Sequence, residues 1–138
     1  MSDAFKLDPR LEAESLPLGR LDLCEARLFN DSRFPWLILV PARAGLVEIT
    51  DLDEAGRQVL MQEAAIAAGA LKAVTNCHKL NVAALGNQVR QLHVHVIARF
   101  ESDAAWPNPV WGRGERVPYE PEAAAKIAQQ MKAAMALR

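Results

Sequence analysis

The chain has 138 residues, 16 Lys+Arg against 17 Asp+Glu, three histidines, two cysteines and 51% hydrophobic residues. This length suits a single domain, 1–138, with a core that needs no staples, and the isolated Cys24 and Cys77 argue against a disulfide scaffold or a cysteine-rich zinc site. A net charge of −1 gives no broad attraction for nucleic acid or an anionic membrane, so neither is an expected partner and any anion site must be local. Met1–Lys6 lacks the apolar stretch of a secretory signal, and no apolar run nears the ~20 residues of a spanning helix. A soluble, cytoplasmic protein is expected.

In chain order, Asp8-Pro9-Arg10-Leu11 predicts a short helix, with a cap residue and a proline at the first helical position, ending by Leu16-Pro17-Leu18-Gly19. Leu21–Leu28 alternates apolar and polar residues, the period of a half-buried strand. Asn30–Arg33 carries turn chemistry, and Trp36–Val40 reads as a more buried strand ended by Pro41. Thr50-Asp51-Leu52-Asp53 resembles a capping box, followed by Leu52, Val59, Leu60, Ala67, Leu71 and Val74 at helical spacing. Strands are expected over Lys79–Ala84 and Leu92–Phe100, linked through Leu85-Gly86-Asn87-Gln88. A last helix starts at Tyr119-Glu120-Pro121-Glu122, with Ile127, Met131 and Met135 on one face. The order is helix, hairpin, long helix, hairpin, helix. It predicts an α+β fold with an antiparallel sheet.

The chemistry concentrates in Gln91-Leu92-His93-Val94-His95-Val96-Ile97-Ala98-Arg99. On a strand, Leu92, Val94 and Val96 face one side while Gln91, His93 and His95 face the other, with the two histidine Cβ atoms ~7 Å apart. Three readings compete: a polar sheet face in solvent or under a helix, a metal site, and nucleophilic catalysis by an imidazole. For a metal, Glu101 stands too far from His95 and no third ligand presents itself.

Gln88–Arg99 resembles the signature of the histidine triad (HIT) family, His-φ-His-φ-His-φ-φ with φ apolar. The strand at Trp36–Pro41, the helix from Thr50, the strand at Asn81 and the Gly86-Asn87-Gln88 turn also fall where that family has them. Val96-Ile97-Ala98-Arg99 matches the residues that follow the family's third histidine, so His93 is the middle histidine and His95 the third. Gln91 stands for the first histidine; it can hydrogen-bond but cannot carry a proton.

The resemblance implies a HIT-like α+β fold, an antiparallel sheet with one long helix and a C-terminal helix, in a homodimer whose sheets join. It implies a nucleotide-binding hydrolase or transferase acting at the α-phosphate of nucleoside phosphoramidates or dinucleoside polyphosphates. The nucleophile is His93, with Gln91 and His95 as the other triad positions and a nucleotidyl-histidine intermediate. A backbone carbonyl of the motif strand holds the nucleophile's second ring nitrogen. No cofactor is required, with Mg²⁺ a companion of polyphosphate substrates. Asn30, Asn81, Asn87 and Gln88 are the nucleotide-binding candidates; Asn30 and Asn87 also read as turn residues, and Gln88 replaces a small hydroxyl residue. The altered first position keeps a second reading open: a purine-nucleotide-binding sensor or interaction module with little turnover.

Other residues have bland alternatives. Trp36 borders the nucleotide or, preferentially, fills core. Trp106 and Trp111 pack locally or shape a dimer partner's site. Arg99 aids phosphate or is an exposed strand-end arginine, His78 is a helix-end or surface residue, and both cysteines are small core fillers.

Overall fold

The computed structural model describes residues 4–138; Met1–Asp3, half of the segment read above for a secretory signal, lie outside them. The elements run α1 (Pro9–Glu14), β1 (Ser15–Arg20), β2 (Cys24–Phe29), β3 (Trp36–Pro41), a 3₁₀ turn (Ile49–Asp51), α2 (Glu54–Thr75), β4 (Lys79–Ala83), β5 (Val94–Arg99) and α3 (Pro121–Met135). The strands form one antiparallel sheet in the order β1-β2-β3-β5-β4. This is the predicted α+β architecture, with one strand added.

That strand is β1, where the sequence suggested only the end of a helix. It pairs with β2 through a register shift between Pro17 and Gly19. As an edge strand it tolerates Pro17, whose missing N–H breaks no interior ladder. Gly19 sits at φ +152°, and a Cβ there would lie 2.6 Å from the Arg138 carbonyl oxygen. The close approach lets Arg20 and Arg138 exchange backbone hydrogen bonds of 2.8 and 3.0 Å, tying the last residue to the sheet edge.

Asp8 caps α1 as predicted, accepting from the Arg10 N–H at 2.8 Å, with Pro9 opening the helix. The start of the long helix is a correction. Thr50 belongs to the 3₁₀ turn, and α2 is capped by Asp53, whose carboxylate accepts from Gly56 at 2.7 Å. The Thr50-Asp51-Leu52-Asp53 run holds acids at both positions. Asp51 is used earlier, accepting from the Val47 and Glu48 N–H groups.

Two apolar clusters lie on opposite sides of the sheet. On one, Leu28, Leu37, Leu39, Val94 and Val96 pack under Leu60, Ala67 and Leu71 of α2 and Met131 and Met135 of α3. Each large side chain fully buried here contributes roughly 1.5–3 kcal/mol, and the alanines of α2 let helix and sheet approach closely. Glu63 reaches from α2 to accept from the backbone N–H groups of Leu23 and Cys24 at 2.9 and 2.8 Å, fixing the turn before β2. Cys24 and Cys77 are buried as small core residues.

A polar sheet face was one of the three readings of the motif strand. Instead Phe34, Trp36, Ile38, Val40 and Ile97 bury it beneath Phe5, Leu7 and Leu11 of the N-terminal segment and Ala105, Val110 and Trp111 of the loop after β5. Every residue of β5 is therefore buried.

Candidate functional site

β5 lies between β3 and β4, in a ladder that pairs His95 with Ile38 on one side and Ala83 on the other. The alternation predicted from the sequence holds: Val94 and Val96 face the helices, and His93 and His95 face the second cluster. The two rings meet at 4.8 Å between centroids, with planes 72° apart. Both residues are only about one-twentieth exposed (5% and 6%).

The ring partners are different in kind. His93 Nδ1 lies 2.6 Å from the backbone carbonyl of Gln91. A carbonyl can only accept, so this nitrogen carries the proton and, in the neutral ring, Nε2 keeps its lone pair. His95 Nδ1 lies 2.9 Å from Trp36 Nε1. An indole N–H can only donate, so here Nδ1 is the acceptor and the neutral ring's proton sits on Nε2. Burial and the neighbouring His93 push the His95 imidazole down to about 3, which keeps it uncharged.

A cavity of about 270 Å³ opens beside His93. It is lined by Arg90–His93, the turn Ala84–Asn87 and the segment Val47–Ile49. Gly86 makes that turn possible. Its φ is +150°, and a Cβ would stand 3.2 Å from the Val89 carbonyl oxygen and 4.0 Å from His93 Cε1.

Gln91, expected as a triad position, sends its side chain elsewhere. Its Oε1 accepts from the Asp8 N–H and its Nε2 donates to the Lys6 carbonyl, both at 2.8 Å. The amide thus clamps the N-terminal segment, while the backbone carbonyl of the same residue holds His93. Asn87 lines the cavity, whereas Gln88 is exposed and does not. The Asn30 side chain accepts from the Tyr119 N–H at 2.9 Å, anchoring the segment that leads into α3. The Asn81 side chain accepts from Arg99 Nη1 at 2.8 Å.

Arg99 corrects both readings offered for it, since it is 1% exposed and fully engaged. Its guanidinium forms a two-pronged pair with Asp103 (2.8 and 3.1 Å) and donates to Asn81 Oδ1 and the Asn108 carbonyl. Burial pushes the Asp103 carboxyl up. Arg99 and the N–H groups of Phe100, Ala105 and Trp106 more than offset this, holding it at about 2. His78 is a surface residue, as expected, 3.3 Å from Glu101.

Trp36 and Trp111 are the site residues least legible in the sequence. Trp36 is core, as preferred, but it also holds His95, and Trp111 stands edge-on to both (5.2 Å to His95, 5.7 Å to Trp36). No group of three or more His, Cys, Asp or Glu side chains gathers as a metal site among the described residues.

A family model described as the HIT domain matches residues 10–102. The chain belongs to the histidine triad family. Three solved HIT proteins share its fold over nearly their whole length. The protein from Sinorhizobium meliloti is 48% identical, with a TM-score of 0.92, covering 94% of this chain and 96% of that one. The Bradyrhizobium japonicum protein is 42% identical, with a TM-score of 0.94 and coverages of 96% and 99%. The Marinobacter aquaeolei protein is 40% identical, with a TM-score of 0.94 and coverages of 97% and 98%. A comparison with curated proteins gives no significant match. Against the HIT signature, the anchored middle histidine is His93 and the departure is at Gln91.

Proposed function

We propose that this HIT protein is a nucleotidyl hydrolase or transferase acting at the α-phosphate of nucleoside 5′-phosphoryl compounds, either phosphoramidates or dinucleoside polyphosphates. The observation that carries the reading is the His93 anchor. A backbone carbonyl holds Nδ1–H, so in the neutral ring the lone pair sits on Nε2, beside a cavity of about 270 Å³. In the first step a P–N bond forms from Nε2 to the α-phosphorus as the bond to the leaving group breaks. The electron pair departs with the leaving nitrogen or oxygen, which takes up a proton. Water then displaces the imidazole, releasing a nucleoside monophosphate and restoring His93.

Charge spread over the non-bridging oxygens calls for donors already in place. His95, neutral with its proton on Nε2, and the side chain of Asn87 on the cavity wall supply candidates, with Gln88 at the exposed end of the same turn. Asn30 and Asn81 act in this reading by holding the α3 lead-in and the Arg99 network. No protein metal is required, and Mg²⁺ accompanies the substrate only where a polyphosphate chain is present. The working assembly is a homodimer.

The test is AMP release from adenosine 5′-phosphoramidate and from a diadenosine polyphosphate, followed by mass spectrometry with His93→Ala alongside. Release by the wild type, lost by at least about 10³-fold in the variant, is the expected result for a covalent nucleophile. One observation favours a second reading, a purine-nucleotide-binding module. The Gln91 amide is wholly engaged with Lys6 and Asp8, leaving no third side chain of the motif free for substrate. Tight AMP binding without turnover of either substrate makes that the function.

A further inference from the structure

We propose that Trp36 is a positioning residue that fixes His95 in its Nε2–H tautomer, making the ring packed against His93 a neutral hydrogen-bond donor for the reaction at His93. This rests on the reading above and adds to it a residue outside the signature motif.

The indole N–H has no acceptor capacity, so the 2.9 Å contact with His95 Nδ1 is satisfied only when that nitrogen is bare. The opposite tautomer would set N–H against N–H between two buried rings and lose the bond. The indole is itself held in place. Phe29 stacks on it at 4.2 Å between centroids with planes 31° apart, and Trp111 meets it edge-on at 5.7 Å and 89°. Donor and acceptor ride on paired strands: Trp36 opposes Ile97 and Ile38 opposes His95, which places Trp36 diagonally across from the histidine. The rings packed against His95 are Trp36, Trp111 and His93, with Ile38 and Ala83 as cross-strand neighbours. His93 is the titratable group among these rings.

The consequence is a division of labour along one strand. A backbone carbonyl fixes His93 with its lone pair on Nε2, and an indole N–H fixes His95 with its proton on Nε2. In their neutral forms, two identical side chains two residues apart are thereby made complementary, one electron-pair donor and one proton donor.

The experiment combines ¹⁵N spectra of the imidazole rings with kcat and KM for AMP release, in the wild type, Trp36→Phe and Trp36→His. The wild type should show His95 unprotonated at Nδ1 and protonated at Nε2, with a scalar coupling across the bond to Trp36 Nε1. Trp36→Phe keeps an aromatic ring but no donor. It should release the tautomer and lower kcat about 10- to 100-fold with little change in KM. Trp36→His, which restores an N–H, should recover part of kcat. A protonated His95 Nδ1 in the wild type overturns the proposal, and so does a Trp36→Phe variant that keeps both the Nε2–H tautomer and wild-type kcat. Should Trp36→Phe not fold, the wild-type spectrum decides the tautomer and Trp36→His decides the kinetics. A wild type that holds the tautomer yet releases no AMP overturns the functional reading and leaves the Trp36–His95 lock standing.

Discussion

His95 and Asp103 both weaken the fold as pH falls, but in different windows. The folded chain protonates His95 only near pH 3, whereas an unperturbed imidazole protonates near 6.5. Between these values the unfolded chain binds the extra proton. Stability therefore falls as pH drops from about 6.5 toward about 3, by at most ~1.4 kcal/mol per pH unit from this group. Asp103 titrates lower when folded, at about 2 against 3.8. Its contribution is present above about 3.8 and is lost as pH falls toward 2. Urea unfolding across pH 2–8 should show both windows, and His95→Gln should flatten the upper one alone. An unchanged slope above pH 4 in that variant would show that His95 is not held neutral.

Among the elements, the N-terminal segment is tied to the motif strand by a single side chain. Gln91 gives both halves of its amide to Lys6 and Asp8, and Asp8 in turn caps α1. Gln91→Ala should cost about 1–2 kcal/mol, the scale for one part-buried and one exposed hydrogen bond, and speed amide exchange at Asp8. His93 should keep its Nδ1 contact, because that acceptor is backbone rather than side chain. Unchanged exchange at Asp8 would mean that Phe5 and Leu7, packed on the second cluster, hold the segment without the clamp. Elements with a local signal were legible beforehand. Pro9 after Asp8 marks α1, the apolar spacing from Val59 onward marks α2, and strict alternation marks β5. β1 carries Pro17 and Gly19, both poor strand formers, and exists because β2 and the C-terminal residue pair with it.

For the molecule as a whole, β4 ends the sheet opposite β1. Val82 pairs with Val96, which puts it on the helix side, and it remains 51% exposed. Met61 and Ile66 of α2 are exposed as well. An open strand edge beside apolar side chains invites pairing with a second copy, which supports the homodimer reading. Light scattering after size exclusion should give a dimer mass for the wild type and a monomer for Val82→Lys, since an edge lysine opposes such pairing. A monomeric wild type removes the homodimer from the proposal.

The sequence alone determined that the fold is α+β, that His93 and His95 share a strand face, and that Gln91 interrupts the triad pattern. These follow from period, caps and a nine-residue motif, all of which act over a few neighbouring positions. The tertiary structure decided what each ring and amide touches. Trp36 and His95 are 59 residues apart in the chain, and Gln91 and Asp8 are 83 apart. Arg99 reads as a strand-end cation until Asp103, Asn81 and Asn108 close around it. Side-chain partners at such separations are set by strand register and by the loops laid over the sheet, which no local pattern of residues encodes.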